Sequence, residues 1–195
     1  MIYESDEFFI DYVKDPMLFG QIFKMRVDVW RAAENAPDNV VKNMAPNGIY
    51  IDEHDNHGTH FAVFSKFHGQ IIGACRMCVH DKIMDTPDYP FFPKERALDK
   101  DFDFPIACYN RMIVLPQYQR KGVSKALDKI VIQHVKDLNV GTILGLANER
   151  RVKPLEEQGF IFFCEANQIL EIPIKQNFYI FHGSESSKMK KDSIR

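Results

Sequence analysis

The stretch Ile106-Ala107-Cys108-Tyr109-Asn110-Arg111-Met112-Ile113-Val114-Leu115-Pro116, continued by Gln119-Arg120-Lys121-Gly122-Val123-Ser124 and then Lys125 to Leu138, reads as strand, basic turn and helix in immediate succession. Such a junction builds an anion site. The first four backbone N–H groups of a helix have no intrahelical partner, and the aligned peptide dipoles leave partial positive charge at that end. A phosphate placed there is stabilised. Gly122 gives the backbone either a close approach to a ligand or a φ angle that other residues avoid, and Arg120 and Lys121 add two mobile cations. The stretch predicts a ligand that carries a diphosphate.

The helical half rests on periodicity. Val123, Ala126, Leu127, Ile130, Val131, His134, Val135 and Leu138 recur at i, i+3, i+4 and i+7, which puts them on one apolar face. His134 on that face is read as a hydrogen-bonded core residue and receives no role.

At 195 residues, 45% apolar and 27% charged, the chain has the make-up of one ordinary globular domain, expected over residues 1–182. The tail from Gly183 to Arg195 is rich in Ser and Lys and is expected to be disordered. A net charge of −2 with dispersed Lys and Arg gives no concentrated basic surface, which argues against a nucleic-acid partner. The amino terminus, Met1 to Glu7, is acidic where a signal peptide is basic, and no apolar run approaches the ~18 residues that span a bilayer. A cytoplasmic protein without a membrane span is the expectation. The four cysteines, Cys75, Cys78, Cys108 and Cys164, are too few and scattered for a disulfide scaffold and are read as free thiols. Cys75 and Cys78 match C-x-x-C inside a strand-like run, where i and i+3 point to opposite faces; no second ligand pair completes a metal site.

Asp15-Pro16 is a helix start, an N-cap followed by proline, and Leu18, Ile22, Met25, Val29 and Ala33 carry the apolar spacing to an end near Asn35 to Pro37. Asp38 to Asn47 reads as irregular. His60 to Phe64 and Gln70 to Val79 read as a hairpin. From His80 to Asp103 the chain is rich in Pro, Asp and Phe, and proline removes a donor and restricts its predecessor, so no regular element fits. The phenylalanines of that excursion, Phe91 and Phe92 among them, either pin it to the core or line an acyl pocket. Thr142 to Leu146 reads as a buried strand and Arg151 to Gln158 as a short helix closed by Gly159. Phe160 to Cys164, Ile169 to Ile174 and Phe178 to Phe181 read as closing strands. No internal repeat is present.

From Asp15 to Phe181 the order of elements resembles the GNAT acyltransferase superfamily. Gln119-x-x-Gly122-x-Ser124 is similar to the family's Q/R-x-x-G-x-G/A loop, with Ser in the last small position; Val114-x-Pro116 precedes it, a strand ends at Asn148, and Gly159-Phe160 closes the next helix. The resemblance implies an α/β (α+β) fold, a mixed and mostly antiparallel sheet of about seven strands flanked by helices. It also implies transfer of an acyl group from acetyl-CoA or a longer acyl-CoA to a primary amine of a small molecule or amino acid. Carried onto this chain, Ile113 and Val114 offer backbone to the thioester and pantetheine. Gln119, Arg120, Lys121, Gly122, Val123 and Ser124 hold the pyrophosphate. Asn148 either binds the pantetheine arm or caps a strand end.

The family's usual side-chain acid and base are missing. The tyrosine that often protonates the departing thiolate falls at Leu155, and the general-base glutamate of many relatives falls at Asn110. Substitute candidates are Tyr109 and Cys108 on the same strand, Tyr118, or a water held by Asp52, Asp55 or His80. A non-catalytic acyl-CoA sensor is the alternative that these absences raise.

A narrower resemblance is to the autoinducer synthases and N-acyl amino acid synthases, which take acyl groups from acyl carrier protein. It rests on Arg26-x-x-x-Trp30, Asp52-x-x-Asp55, Gly73-x-x-Arg76 and Arg111-x-x-Val114. Cys108 and Ala36 stand where that branch has a glutamate and a second aromatic. The resemblance implies that Arg26, Trp30, Asp52, Asp55, Arg76 and Arg111 shape the amine site. The bland alternative pairs Arg26 with Asp52 or Asp55, makes Trp30 a core aromatic, and leaves Arg76 and Arg111 as ion-pair members. Acyl carrier protein as donor partner and a homodimer as assembly are further expectations.

Overall fold

The computed structural model describes residues 1–33, 38–96, 99–167 and 175–183. Its strands are β1 (Tyr3–Glu4), β2 (Phe8–Tyr12), β3 (Thr59–Ser65), β4 (Ile71–His80), β5 (Ile106–Val114), β6 (Thr142–Asn148), β7 (Ile161–Glu165) and β8 (Gln176–His182). Its helices are α1 (Pro16–Arg31), α2 (Asp38–Met44), α3 (Val123–Asp137) and α4 (Glu149–Glu157). The sheet has eight strands in the order β1-β2-β3-β4-β5-β6-β8-β7 and is mostly antiparallel, with β5 and β6 parallel. The parallel pair needs a crossover, which the loop after β5 and helix α3 supply.

The α1 start is as the sequence predicts: Asp15 accepts the Met17 amide at 2.9 Å, with Pro16 in the first turn. Two expectations are corrected. Residues 38–44 form helix α2 rather than irregular chain, because Val41 and Ala45 bury against Val27 beside Trp30 and Tyr50. The acidic amino terminus, read without a regular element, forms β1 and β2 and brings the strands among the described residues to eight, in keeping with the expected sheet of about seven; Phe8 and Ile10 alternate inward along β2 and give it a buried face. The expected strand at residues 169–174 and the tail after Gly183 lie outside the described residues.

The backbone divides into two compact units, the described parts of 1–76 with 111–130, and of 77–110 with 131–167 and 175–183. In the first, Ile22, Phe23 and Met25 of α1 pack with Ala62, Ile71, Ala74 and Ile113. In the second, Phe92 and Phe102 of the proline-rich excursion join Ile106, Cys108, Leu144, Phe178 and Ile180. Phe92 stacks on Phe178 with centroids 3.7 Å apart. These phenylalanines therefore pin the excursion, whose regular pieces are 3-10 turns at Ile83–Asp85, Tyr89–Phe91 and Asp99–Asp101.

Candidate active site

Within the first unit, the spacing Asp52-x-x-Asp55 folds into a 3-10 turn, Glu53–Asn56, that both carboxylates brace. Asp52 Oδ1 accepts the His54 amide at 3.1 Å and Asp55 Oδ2 accepts the Asp52 amide at 2.9 Å, a capping box. Three arginines converge on this turn. Arg26 from α1 donates from Nη1 and Nη2 to Asp55 at 2.8 Å each. Arg76 from β4 bonds Asp52 with both terminal nitrogens and reaches Asp55 Oδ1 at 2.8 Å. Arg111 from β5 donates from Nη2 to Asp52 Oδ2 at 2.8 Å and to the Tyr50 hydroxyl at 2.9 Å, with its guanidinium 4.9 Å from the Tyr50 ring centroid. Trp30 packs edge-on against the same ring at 4.9 Å.

The cluster holds three guanidiniums against two carboxylates. Burial would raise the Asp52 carboxyl, but Arg76 and Arg111 hold it far below the usual carboxylate range. Burial likewise opposes ionisation of Asp55, and the hydrogen bond from Arg26 with the Asp52 amide overcomes it. Both are anions at neutral pH. His60, against Asp55, is pushed down to about 4 by burial and stays neutral, with Nε2 3.2 Å from the Asp55 carbonyl oxygen. Arg26 and Arg76 are buried, so the guanidinium that the cluster presents outward is that of Arg111, whose side chain is 25% exposed.

Arg111 is placed by its backbone as well as by its partners. Its φ of 54° lies in the left-handed region, where a residue with a Cβ sits at a cost of about 1 to 2 kcal/mol. The ion pairs with Asp52 and the Tyr50 bond hold it there. In the Glu53–Asn56 turn His54 keeps its imidazole mostly covered, and burial first, then the Arg76 charge, lower its pKa against the pull of Asp52 and Glu53. It is a neutral base at pH 7. The sequence reading missed Tyr50, His54 and His60, whose contacts with the cluster arise only once the turn is folded.

The loop between β5 and α3 also lies in the first unit. Arg120 and Gly122 take φ values of 61° and 82°, alternating left-handed residues of the kind that turns backbone N–H groups into an anion-binding concavity. A Cβ on Gly122 would meet nothing within 4 Å, so this glycine serves its φ angle and not a close approach. Gln119 folds back to donate to the Val114 carbonyl at 3.2 Å, and the Ala126 amide donates to Gly122 at 3.0 Å as the helix begins. Gly73 on β4 is the site of close approach: a Cβ there would lie 3.0 Å from Val123 Cγ1 and 3.2 Å from the Ile113 carbonyl oxygen. Gln119 to Gly122 are exposed, Val123 and Ile113 are buried, and Val114 and Ser124 are half-buried.

The second unit holds the other candidates. Cys108 and Tyr109 are buried, Cys108 within the apolar cluster of Phe92, Phe102 and Phe178. Leu155 is buried and Asn110 is half-buried. Asn148, at the end of β6, accepts the Arg150 amide at 3.1 Å and so caps α4. No cluster of three or more His, Cys, Asp or Glu side chains suited to a metal occurs among the described residues. Among them, no helix is long and apolar enough to cross a membrane.

A parallel strand pair joined through a loop with a left-handed glycine is the arrangement expected of the GNAT acyltransferase fold. The chain belongs to the acetyltransferase (GNAT) family, whose sequence pattern matches residues 21–160, and it is an acyltransferase. Among solved structures it is similar to FeeM, an N-acyl amino acid synthase from uncultured soil microbes, at 10% identity and a TM-score of 0.65, covering 91% of this chain and 92% of that one. It is similar to BjaI, a CoA-dependent acyl-homoserine lactone synthase, at 12% identity and a TM-score of 0.65, covering 92% and 85%. It is similar to yncA, a putative acetyltransferase from Salmonella typhimurium with acetyl-CoA, at 11% identity and a TM-score of 0.58, covering 91% and 95%. At these identities the likeness is one of fold. No curated protein matches the chain.

Proposed function

We propose that this protein transfers an acyl group from a coenzyme A thioester to the primary amine of an amino acid or similar amino-carboxylate. The observation that carries the reading is the partly exposed Arg111 guanidinium, held beside Tyr50 by its ion pair with Asp52 in the Arg26, Asp52, Asp55, Arg76, Arg111 cluster. A partly exposed guanidinium in a fixed position pairs best with a planar carboxylate. The remaining members, Arg26, Arg76 and both aspartates, hold Arg111 in position. Trp30 and Tyr50 supply the adjoining aromatic wall.

The loop from Gln119 to Ser124 receives the diphosphate, and the backbone at Ile113 and Val114 lies against the pantetheine and thioester. The amine nitrogen attacks the thioester carbonyl carbon; the C–N bond forms, the C–S bond breaks, and the thiolate leaves to be protonated by solvent. The proton released by the amine passes to the neutral His54 imidazole. Alignment does most of the work, since holding two reactants together lowers a barrier by roughly 7 to 11 kcal/mol, whereas a positioned base adds about 10²- to 10⁴-fold. The absence of the family's usual tyrosine and glutamate, at Leu155 and Asn110, is therefore tolerable.

The test is thiol release from acetyl-CoA and octanoyl-CoA with a panel of amino acids, each beside the amine left when its carboxylate is removed. Faster turnover of the amino acids supports the reading. Turnover confined to amines without a carboxylate overturns it.

A further inference from the structure

In Ile49-Tyr50-Ile51, which leads into the Asp52 turn, exposure alternates as it does along a strand, and in the sense opposite to what burial alone would choose. Both isoleucines face outward, 48% and 55% exposed, while Tyr50 between them is half-buried. The backbone fixes that choice: the Tyr50 amide donates to the Phe23 carbonyl at 3.2 Å, and the Tyr50 carbonyl accepts from Arg26 Nη1 at 3.4 Å. The ring is held as well, edge-on by Trp30 and over its face by the Arg111 guanidinium, in the cluster of Val27, Val41 and Ala45.

The hydroxyl so fixed is only half used. Its oxygen accepts from Arg111 Nη2 at 2.9 Å, and no described residue accepts its proton. Arg111 is half used in the same way: Nε and Nη2 are engaged by Asp52 and Tyr50, and Nη1 bonds no described residue. Asp52 is already saturated. Its Oδ1 accepts from the His54 amide and Arg76 Nη1, and its Oδ2 from Arg76 Nη2 and both engaged Arg111 nitrogens. Two donors are therefore left open on groups that touch each other, one O–H and one N–H of a cation. Nη1 shares its carbon with Nη2, so both donors fall within the span of one carboxylate.

We propose that Tyr50 is a specificity-determining residue, whose hydroxyl donates to one oxygen of the acceptor's carboxylate while Arg111 Nη1 donates to the other, so that the site selects the free acid over its carboxamide. The inference rests on reading Arg111 as the partner of that carboxylate. A carboxylate answers two donors with two anionic oxygens. A carboxamide has one oxygen, and its NH2 group faces a donor with no open acceptor beside it, because both Asp52 oxygens are bonded. A site built to hydrogen-bond a substrate group discriminates strongly against an analogue that leaves a donor unpaired. An aromatic wall alone makes no such distinction.

Steady-state kinetics on the full chain tests this, with acetyl-CoA as donor and, as acceptors, the amino acid turned over fastest and its carboxamide. The wild type should favour the acid about tenfold or more in kcat/KM. Tyr50→Phe keeps the ring with its Trp30 and Arg111 contacts and removes only the hydroxyl. KM for the acid should then rise about tenfold, the scale of one hydrogen bond to a charged group, KM for the carboxamide by far less, and KM for acetyl-CoA should hold. Replacing Tyr50 by 3-fluorotyrosine separates donation to the substrate from support of Arg111, since fluorine makes the hydroxyl a stronger donor and a weaker acceptor. A hydroxyl that donates to the substrate should lower KM for the acid. A KM for the acid unchanged or raised by fluorination, or an acid preference undiminished in Tyr50→Phe, overturns the assignment while leaving Arg111 as the carboxylate partner. Absence of any acid preference in the wild type overturns the proposed acceptor and this inference together.

Discussion

Arg26 and Asp55 form a two-pronged pair, 2.8 Å on each prong, with both side chains only 1% exposed. A pair so enclosed is costly to break on one side, because the remaining charge stays buried without its counterion. Asp55→Asn leaves Arg26 and Arg76 short of a carboxylate and should destabilise the fold by about 3 to 5 kcal/mol. Urea unfolding followed by circular dichroism reads this. A change under about 1 kcal/mol would mean that the pair is not the anchor described.

Arg111 is the contrasting member. It is the most exposed of the three arginines, so Arg111→Ala should change stability by about 1 kcal/mol while raising KM for a carboxylate-bearing acceptor roughly 10- to 100-fold. KM for acetyl-CoA should hold. Steady-state kinetics with acceptor and donor varied in turn separates the two, and a rise in the donor KM instead would place Arg111 on the other substrate.

For His54, the direction of the pKa shift fixes a pH profile. Burial lowers it below 6.5, so the imidazole is neutral and able to accept a proton at pH 7, and the rate should fall as pH drops through a pKa below 6.5. His54→Gln should lower kcat about 10²-fold and remove that acidic limb. An unchanged limb in the variant would assign it to another group.

His60 gives a stability window instead of a rate effect. Its folded pKa of about 4 lies below the 6.5 of an unfolded histidine, so between those values the unfolded chain binds the extra proton. The contribution is full above pH 6.5 and is lost as pH falls toward 4, at up to about 1.4 kcal/mol per pH unit. His54 and His134 are lowered in the same sense, and Asp52 and Asp55 act only below about pH 4. His60→Gln keeps a donor for the Asp55 carbonyl and should flatten the pH 4 to 6.5 slope measured by chemical unfolding; a slope equal to wild type would refute the assignment.

The crossover loop, α1 and the central strands were legible because each has a local signature: Asp15-Pro16 as a start, apolar spacing along α1 and α3, and a glycine in a basic turn. Helix α2 was not, since Asp38 to Met44 has weak periodicity and is helical through burial of Val41 and Ala45, a tertiary effect. The pairing of Arg26 with Asp55 was available as one of two choices, and only the capping box around Glu53–Asn56 decides it. Tyr50 and His54 could not be singled out from spacing, because their partner Asp52 is met through the fold of the turn and through Arg111.

Gly122 separates the role of backbone geometry from that of charge in the loop. Its φ of 82° is closed to alanine at a cost of about 1 to 2 kcal/mol, and since a Cβ there meets no atom, strain is the whole effect of Gly122→Ala. The chain can relieve that strain by turning the loop amides away, and coenzyme A affinity should then fall about tenfold with thermal stability little changed. Lys121→Ala keeps the amides in place and removes one cation; its loss should be smaller and should vanish in high salt, as screening removes exposed charge interactions first. A Gly122→Ala loss that also vanished in high salt would show that the site is a patch of charge and not a shaped loop.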